Sequence, residues 1–242
     1  MTDFRIIYKE ETASTNADLK ELAKNGAPTG TVIIAKRQTA GRGRIGRSFS
    51  SQEGGLYMSL LTELDGEDAG LLTTFAAVAT ARAIERLARV KIDIKWVNDL
   101  LCGSKKLCGI LTEGVFTEGR RLAVVGIGVN LTGKLPDELS EIAATLFEVS
   151  GQAIEPAALA KEILAEFEGF DPKNAPSHLD EYRHRCITTG KNITVIPHFD
   201  TTYKAKALKI TEKGGLLVKR EDNGEETELF YGEASLRPTT EL

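Results

Sequence analysis

The sequence GRGRIGR at residues 41–47 alternates three arginines with three glycines. Together with Lys36 and Arg37 it places five cations within twelve residues, and no Asp or Glu occurs between Lys36 and Gln52. Glycine allows the backbone to approach a ligand closely, so that main-chain N–H groups join the guanidinium groups around phosphate or carboxylate oxygens. We therefore predict that this segment is an anion-binding loop.

The same residues match the pattern GxGxxG of dinucleotide-binding Rossmann folds, which requires a strand before the glycines and a helix after them. Residues 31–35 have the composition of a strand, but residues 48–55 read SFSSQEGG, a turn-rich segment, and residues 56–61 again resemble a strand. The sequence thus argues against a Rossmann site. A solvated basic surface loop is the simpler alternative, but such a loop does not need three interleaved glycines.

Composition sets the outer limits on fold and function. The chain has 242 residues, a net charge of −4, 41% hydrophobic residues and 27% charged residues, values typical of a soluble globular protein with one large domain or a large and a small one. The longest uncharged run, residues 69–81, is too short to span a bilayer, and no signal-peptide pattern opens the sequence, so we expect a cytoplasmic protein. The three cysteines and three histidines lack metal-ligand spacing.

Hydrophobic periodicity and turn residues predict an α+β fold. Strands are expected at residues 4–10, 31–35, 56–61, 92–96, 107–113 and 122–129, and helices at 14–25, 68–88, 137–150, 156–169 and 176–186. From residue 191 onward the pattern changes to short strands at 193–195, 202–210, 216–218 and 228–231, separated by GG and DNG turns. This tail of about fifty residues predicts a small β-barrel.

Three further clusters carry binding chemistry. The sequence KWVND at 95–99 places a cation, an aromatic ring and two short polar side chains at the end of a strand. SKKLCGIL at 104–111 brings lysine to the start of the next strand, and GIGVN at 126–130 ends a third strand with an amide suited to the edge of a base. Each cluster alone is weak, because a strand-end Asn is commonly a cap and a surface lysine pair is commonly solvated.

Read in order with STN at 14–16 and QTAGRGRIGR at 38–47, these motifs closely resemble those of the biotin protein ligases (biotin–[acetyl-CoA-carboxylase] ligases). In the tail, GGLLV at 214–218 and GEASLR at 232–237 resemble the SH3-like carboxy-terminal domain of that family. The sequence departs from the family at Val97, where proline is common, and at Phe49, where tryptophan is common. The resemblance implies a mixed sheet flanked by helices in a class II synthetase-like catalytic domain, residues 1–188, followed by an SH3-like barrel, residues 189–242.

The resemblance also implies an activity: formation of biotinyl-5′-AMP from biotin and ATP, followed by transfer of the biotinyl group to a lysine of a biotin carboxyl carrier protein or domain. Lys106 and Arg44 are the implied catalytic residues, and Mg²⁺, with ligands the sequence does not identify, would screen the pyrophosphate. The implied biotin-binding residues are Ser14, Thr15, Asn16, Gln38, Gly41, Arg42, Gly43, Arg44 and Lys106. The implied ATP-binding residues are Arg42, Arg44, Arg47, Phe49, Lys95, Asn98, Asp99, Lys106 and Asn130.

Two alternatives remain open at this point. A lipoate ligase or octanoyltransferase shares the implied fold but favours a hydrophobic slot over polar residues such as Ser14, Thr15 and Gln38. A nucleic-acid-binding module could use residues 36–47 as a phosphate clamp, although the net charge of −4 argues against it. Because the STN motif begins near residue 14, we expect no amino-terminal DNA-binding helix-turn-helix, no DNA partner and no membrane partner. Family members are often homodimers, so a homodimer is a further expectation.

Overall fold

The computed structural model describes residues 4–64, 69–117, 119–170, 176–196, 201–230 and 233–236. Its strands are β1 (Arg5–Thr12), β2 (Thr31–Gln38), β3 (Gly55–Glu63), β4 (Asp93–Lys95), β5 (Asp99–Cys102), β6 (Lys105–Thr117), β7 (Arg120–Asn130), β8 (Asn192–Ile196), β9 (Tyr203–Ile210), β10 (Leu216–Arg220), β11 (Glu226–Leu229) and β12 (Glu233–Ser235). Its α-helices are α1 (Thr15–Lys24), α2 (Ala69–Ala88), α3 (Leu146–Ser150), α4 (Pro156–Glu168) and α5 (Pro176–Arg185).

The larger sheet has seven strands in the order β1-β2-β3-β7-β6-β5-β4. β1 and β2 are parallel and the remaining neighbours are antiparallel, so the sheet is mixed, as the sequence predicted. Helix α1 makes the crossover between β1 and β2. This connection places the start of α1 near the carboxyl ends of both strands, an edge where ligands commonly bind in α/β proteins.

Helices cover both faces of this sheet because alternate side chains of a strand point to opposite sides. Ile33 and Leu61 pack with α1 on one face, whereas Val32 and Leu60 belong to the larger core on the other face. Residues of α2, α4 and α5 contribute to that larger core. Burying each such aliphatic side chain stabilises the fold by roughly 1.5–3 kcal/mol.

The helix ends follow from local sequence. Ser14 caps α1, because its side-chain oxygen accepts a hydrogen bond from the backbone N–H of Ala17. Asn25 follows the last turn of α1, and Pro156 occupies the first turn of α4, where a missing N–H costs nothing. The predictions for these helices are confirmed.

The second sheet contains five strands in the order β11-β10-β9-β8-β12. Its end strands β11 and β12 do not pair with each other within the described residues, so the sheet is open there and the predicted barrel is not observed. Its inner face continues the larger core through Val195, Ala205 and Leu216. The indole N–H of Trp96 donates to the carbonyl of Gly214 at 3.3 Å, which ties the tail to the main sheet.

The predicted helix at residues 137–150 is wrong over most of its length. Only a 3₁₀ turn, Asp137–Leu139, and the short α3 form there. Between them the backbone bonds to β6 instead: Lys106 N–H donates to the carbonyl of Ile142 at 2.9 Å, and Ala144 N–H donates to that of Lys106 at 3.1 Å. Strands β5 and β12 were not predicted. None of the described helices is both long and apolar enough to cross a membrane.

Candidate functional site

A cleft lies on the α1 face of the large sheet, and the space inside it, including its solvent-open mouth, is about 480 Å³. Its walls come from the start of α1, the end of β2, the basic loop, and the central strands β3, β6 and β7. The lining residues are Ser14, Thr15, Asn16, Gln38, Arg42, Gly43, Phe49, Tyr57, Met58, Lys106, Gly109, Ile110, Leu111, Gly126, Ile127 and Gly128.

One end of the cleft is polar. Ser14, Thr15 and Asn16 are only 2%, 3% and 5% exposed, so these polar side chains are held inside the protein at the amino terminus of α1. The backbone N–H of Thr15 donates to Gln38 Oε1 at 2.8 Å. The helix terminus adds partial positive charge at this end. Short hydroxyl and amide groups arranged in this way suit a compact ligand with both N–H and C=O groups.

Gln38 also fixes the position of the segment after the basic loop. Its Nε2 donates to Ser51 Oγ at 2.8 Å, and Ser51 Oγ donates to the carbonyl of Phe49 at 3.0 Å. Gly41 lies against this link: a Cβ there would come within 2.4 Å of Ser51 Oγ and 2.5 Å of the Phe49 carbonyl oxygen. Only glycine allows the loop to close at this position.

Two arginines of the loop contact different parts of the protein. Arg42 lines the cleft, and its backbone bridges to Ser48 across the loop. Arg44 begins a 3₁₀ turn, Arg44–Gly46, and donates from Nη1 to Asn98 Oδ1 at 3.4 Å while its guanidinium lies 6.0 Å from the centre of the Trp96 ring. The loop is thereby joined to the KWVND cluster through Arg44, while Arg42 provides the loop's cation in the cleft lining.

Lys106 supplies a cation from the opposite side. Its Nζ lies 2.6 Å from Asp99 Oδ1 and 5.8 Å from the centre of the Phe49 ring. Asn98, next to Asp99, donates from Nδ2 to the carbonyl of Ile110, which holds the KWVND cluster against β6. The cleft therefore has hydrogen-bonding groups at one end and cations from two separate segments further along.

Phe49 lies over a flat patch of the sheet. Gly109 and Gly128 face each other across β6 and β7, and a Cβ on them would come within 3.0 Å and 2.7 Å of the Phe49 ring. Two opposed glycines thus leave room for a planar group against the backbone. Burial raises the pKa of neighbouring Tyr57 to about 12, so its hydroxyl stays protonated and donates to the carbonyl of Gln52.

The remaining predicted residues lie outside the lining of this cleft. Gly41, Asn98 and Asp99 lie against residues that line it, whereas Arg44 contacts Asn98 and Trp96, which do not. Asn130 borders an adjacent depression with Tyr57 and Thr145 and donates to the carbonyl of Ala144 at 3.3 Å. Lys95 lies at the end of the edge strand β4, and Arg47 is exposed at the end of the loop.

Among the residues that contact or crowd Asn16, the sequence analysis named neither Ser59 nor Glu113, and it quoted Gly126 within GIGVN without giving it a role. Ser59 is fully buried, and its Oγ lies 2.7 Å from Thr15 Oγ1 and 2.6 Å from Asn16 Oδ1. Glu113 accepts from Asn16 Nδ2 at 2.9 Å and from Lys20 Nζ at 2.8 Å. The available signal for Ser59 was a lone polar residue in the otherwise apolar run LYMSLL.

Charge at Glu113 is set by competing effects. Burial raises the pKa of its carboxyl, but the hydrogen bonds from Lys20 and Asn16 outweigh burial and leave that pKa below its usual value. Glu113 is therefore ionised at neutral pH. Within the described ranges no group of three or more His, Cys, Asp or Glu residues forms a metal-binding cluster.

The fold and the cleft together define a class of α/β domain that binds a small ligand together with anionic groups. Its features are a mixed sheet with a crossover helix, a glycine-arginine loop, and a cleft with polar groups at one end and cations along its side. The family model described as the biotin/lipoate A/B protein ligase family matches residues 8–130, and the chain belongs to this family. The resemblance predicted from the motifs is thereby confirmed.

Individual relatives agree with this assignment. The bifunctional ligase/repressor BirA of Bacillus spizizenii is 38% identical over an alignment 233 positions long that covers 90% of this chain and 70% of the relative. The biotin–[acetyl-CoA-carboxylase] ligase of Mycobacterium tuberculosis is 33% identical over an alignment 196 positions long that covers 76% of this chain and 72% of the relative. The structure of the Aquifex aeolicus biotin protein ligase in complex with biotin and ATP superimposes with a TM-score of 0.79 at 29% identity, covering 97% of this chain and 99% of that one.

Proposed function

We propose that this protein is a biotin protein ligase, which activates biotin with ATP as biotinyl-5′-AMP and transfers the biotinyl group to a lysine of a biotin carboxyl carrier protein or domain. The relatives named as biotin ligases and the neighbour solved with biotin and ATP support this function. The observation that carries the proposal is the distribution of polar and cationic groups in one cleft. Ser14, Thr15 and Gln38 match a ureido ring, whereas Arg42 and Lys106 match a carboxylate meeting a phosphate.

The first step brings two anions together. A carboxylate oxygen of biotin attacks the α-phosphorus of ATP, a C–O–P anhydride forms, and the bond to pyrophosphate breaks. Arg42 and Lys106 approach the cleft from different segments, so both charges can act on one reacting centre. Preorganised cations in such a site stabilise developing negative charge better than water does, because they need not reorient during the reaction.

Asp99 has a positioning role in this proposal. Its carboxylate lies 2.6 Å from Lys106 Nζ and limits the positions that the ammonium group can take. Arg44, held near Asn98 and Trp96, supplies a further cation for the phosphates. Arg47, Lys95, Asn98 and Asn130 complete the proposed ATP-binding set, with Phe49 covering the nucleotide.

In the second step the neutral amine of an acceptor lysine attacks the acyl carbon of the anhydride, and AMP leaves. Water would hydrolyse the same bond. The basic loop, held closed by the Gln38–Ser51–Phe49 link, and the Phe49 ring are placed to exclude water until the acceptor arrives.

Mg²⁺ fits this site as a companion of ATP. In nucleotide sites the ion is commonly held by one or two carboxylates together with substrate phosphates and water, so a three-residue protein cluster is not required. Asp99 is the carboxylate that we propose for this role. Bound with ATP, the ion would screen the charge of the departing pyrophosphate.

The wider organisation of the protein is also part of the proposal. We assign residues 1–188 to a class II synthetase-like catalytic domain and residues 189–242 to a domain of SH3-like type. We further propose a cytoplasmic location and a homodimer, with no DNA partner. Arg42 and Gly43 of the basic loop line the ligand cleft, so a bound ligand would compete with a duplex for this loop.

Pyrophosphate release separates the candidate functions. The protein is incubated with ATP and, in turn, with biotin, lipoate or octanoate. Of the three acids, we expect only biotin to cause pyrophosphate release, and radiolabelled biotin should then appear on a carrier domain. Equal or greater release with lipoate or octanoate would assign the chain to the other branch of the family, and no release with any of the three acids would refute a ligase function.

A further inference from the structure

Ser59 is a buried polar residue that no ligand can reach directly. It lies in the middle of β3, is 0% exposed, and pairs in register with Gly126 of β7. Its hydroxyl contacts two members of the polar end of the cleft, Thr15 and Asn16, at 2.7 and 2.6 Å. A buried hydroxyl between two such groups constrains which of them donates and which accepts.

Asn16 has one possible orientation. Its Nδ2 lies 3.2 Å from the carbonyl oxygen of Leu111 and 2.9 Å from Glu113 Oε2, and both partners only accept. The two amide protons are therefore both used, and Oδ1 faces Ser59. Glu113 is kept ionised by Lys20, so it cannot reverse this orientation by donating a proton of its own.

The orientation of Asn16 determines the order of the hydroxyl protons. An amide oxygen only accepts, so the single proton of Ser59 goes to Asn16 Oδ1. The contact of 2.7 Å between the Ser59 and Thr15 hydroxyls then requires the proton of Thr15, because two oxygens so close need a proton between them. Thr15 thus donates to Ser59, and Ser59 donates to Asn16. Any other order leaves one of the two short contacts without a proton.

This order gives the polar end of the cleft a fixed polarity. Thr15 has used its hydroxyl proton and offers only acceptor lone pairs to a ligand. Gln38 Oε1 accepts the backbone N–H of Thr15 at 2.8 Å and lies 3.1 Å from Thr15 Oγ1, a longer contact than the 2.7 Å between Thr15 and Ser59, so the Thr15 proton goes to Ser59. Gln38 Nε2 bonds Ser51 and keeps a second proton. Ser14 Oγ accepts from Ala17 N–H at 3.4 Å and keeps its proton. The site therefore combines one obligate acceptor, Thr15, with donors at Ser14 and Gln38.

We infer that Ser59 is a specificity-determining positioning residue: through Thr15, and with Asn16 and Glu113 behind it, it makes the cleft select a ligand that presents a ring N–H. The inference rests on the proposed function, in which this ligand is the cyclic urea of biotin. A ring that carries oxygen or carbon at the same place leaves the Thr15 lone pair without a partner. A lipoyl or fatty-acyl group is rejected on the same ground.

The test compares biotin with two cyclic-carbamate analogues, in each of which one ureido N–H is replaced by a ring oxygen. Calorimetry gives the dissociation constants of biotin and of both carbamates. The quantity compared, called the ratio below, is the dissociation constant of the carbamate that binds more weakly divided by that of biotin. For the wild-type protein we expect a ratio of about ten to a hundred, because a buried acceptor loses its donor. In Ser59→Ala, the Thr15 proton loses its 2.7 Å contact with Ser59 and keeps only the longer 3.1 Å contact with Gln38 Oε1, so it can turn toward the ring oxygen, and the ratio should fall at least fivefold.

The competing explanation is a merely structural role, in which Ser59→Ala weakens both ligands equally. An unchanged ratio in Ser59→Ala would overturn the inference, even if both affinities fall.

Two additional measurements keep the test decisive. Thr31→Val removes another buried strand hydroxyl, which donates to the carbonyl of Pro28 at 2.7 Å away from the cleft lining, and should leave the ratio unchanged. If Ser59→Ala does not fold, Ser59→Cys keeps the size of the side chain with a weaker donor, and its ratio should lie below that of the wild type. A wild-type protein that binds no biotin would refute the proposed function instead, which is a different result from an unchanged ratio.

Discussion

Substitution of Gly126 by alanine should disrupt the polar end of the cleft by displacing Asn16. Gly126 lies in β7 opposite both Ser59 of β3 and Leu111 of β6. A Cβ at this position would come within 2.1 Å of Asn16 Oδ1 and 2.9 Å of Asn16 Nδ2. Such distances are far inside van der Waals contact, so either Asn16 or the strand has to move.

Asn16 cannot yield without cost, because Leu111, Glu113 and Ser59 hold its amide from three directions. Loss of two neutral hydrogen bonds at about 1 kcal/mol each and one bond to a charged carboxylate at about 1.5–3 kcal/mol would lower the free energy of unfolding by about 3.5–5 kcal/mol. Displacement of Asn16 also removes the constraint on Thr15, and the affinity for biotin should fall at least about tenfold, as expected for a hydrogen-bonding group misplaced by one lost contact.

Urea denaturation and biotin calorimetry test this reasoning, with Gly114→Ala as the matched control. Gly114 lies in β6, and its added Cβ would meet only the ring of Phe116 at 3.2 Å, a side chain that is 68% exposed and free to turn away. We expect this control to stay within about 0.5 kcal/mol of the wild type, as is usual for surface changes. Wild-type stability and biotin affinity in Gly126→Ala would refute the assigned role of the Asn16 network.

Three other outcomes are expected. Lys106→Ala should abolish biotin-dependent pyrophosphate release with an unchanged circular dichroism spectrum, since its backbone bonds to the 142–144 segment persist; near wild-type release would contradict its role. Arg44→Ala should accelerate loss of the adenylate by about ten- to a hundredfold, equivalent to about 1.5–3 kcal/mol for a charged contact, and unchanged retention in a filter-binding assay would exclude that contact. Burial, with Arg82 nearby, lowers the pKa of His178 from 6.5 to about 4. The folded state thus favours neutral His178, so stability is complete above pH 6.5 and falls by at most about 3 kcal/mol as pH drops toward 4. Thermal melts of His178→Gln should show a weaker pH dependence over this interval, and equal slopes would count against the assignment.

Local signals were sufficient for most secondary-structure elements. The cap at Ser14, the proline at 156 and the turn glycines act on their immediate neighbours, and the structure places α1 and α4 where these residues predict them. The segment 137–150 shows the limit of such reasoning. Its composition favours a helix, but β6 offers backbone partners to Ile142 and Ala144, and these bonds compete with helical ones. β5 was missed because four residues are too few for a periodic signal.

The sequence by itself determined the family, through motifs in which neighbouring residues act together: the glycine-arginine loop, the STN helix start and the lysine before the strand at 107. Only the tertiary structure decided how these motifs are oriented toward one another. Ser59 meets residues 43 and 44 positions away, and Glu113 meets one 97 positions away, because β3, β7 and β6 are adjacent in the sheet and α1 packs across them. Hydrogen-bond polarity depends on which donor faces which acceptor in space, and that pairing exists only after the strands have taken their register.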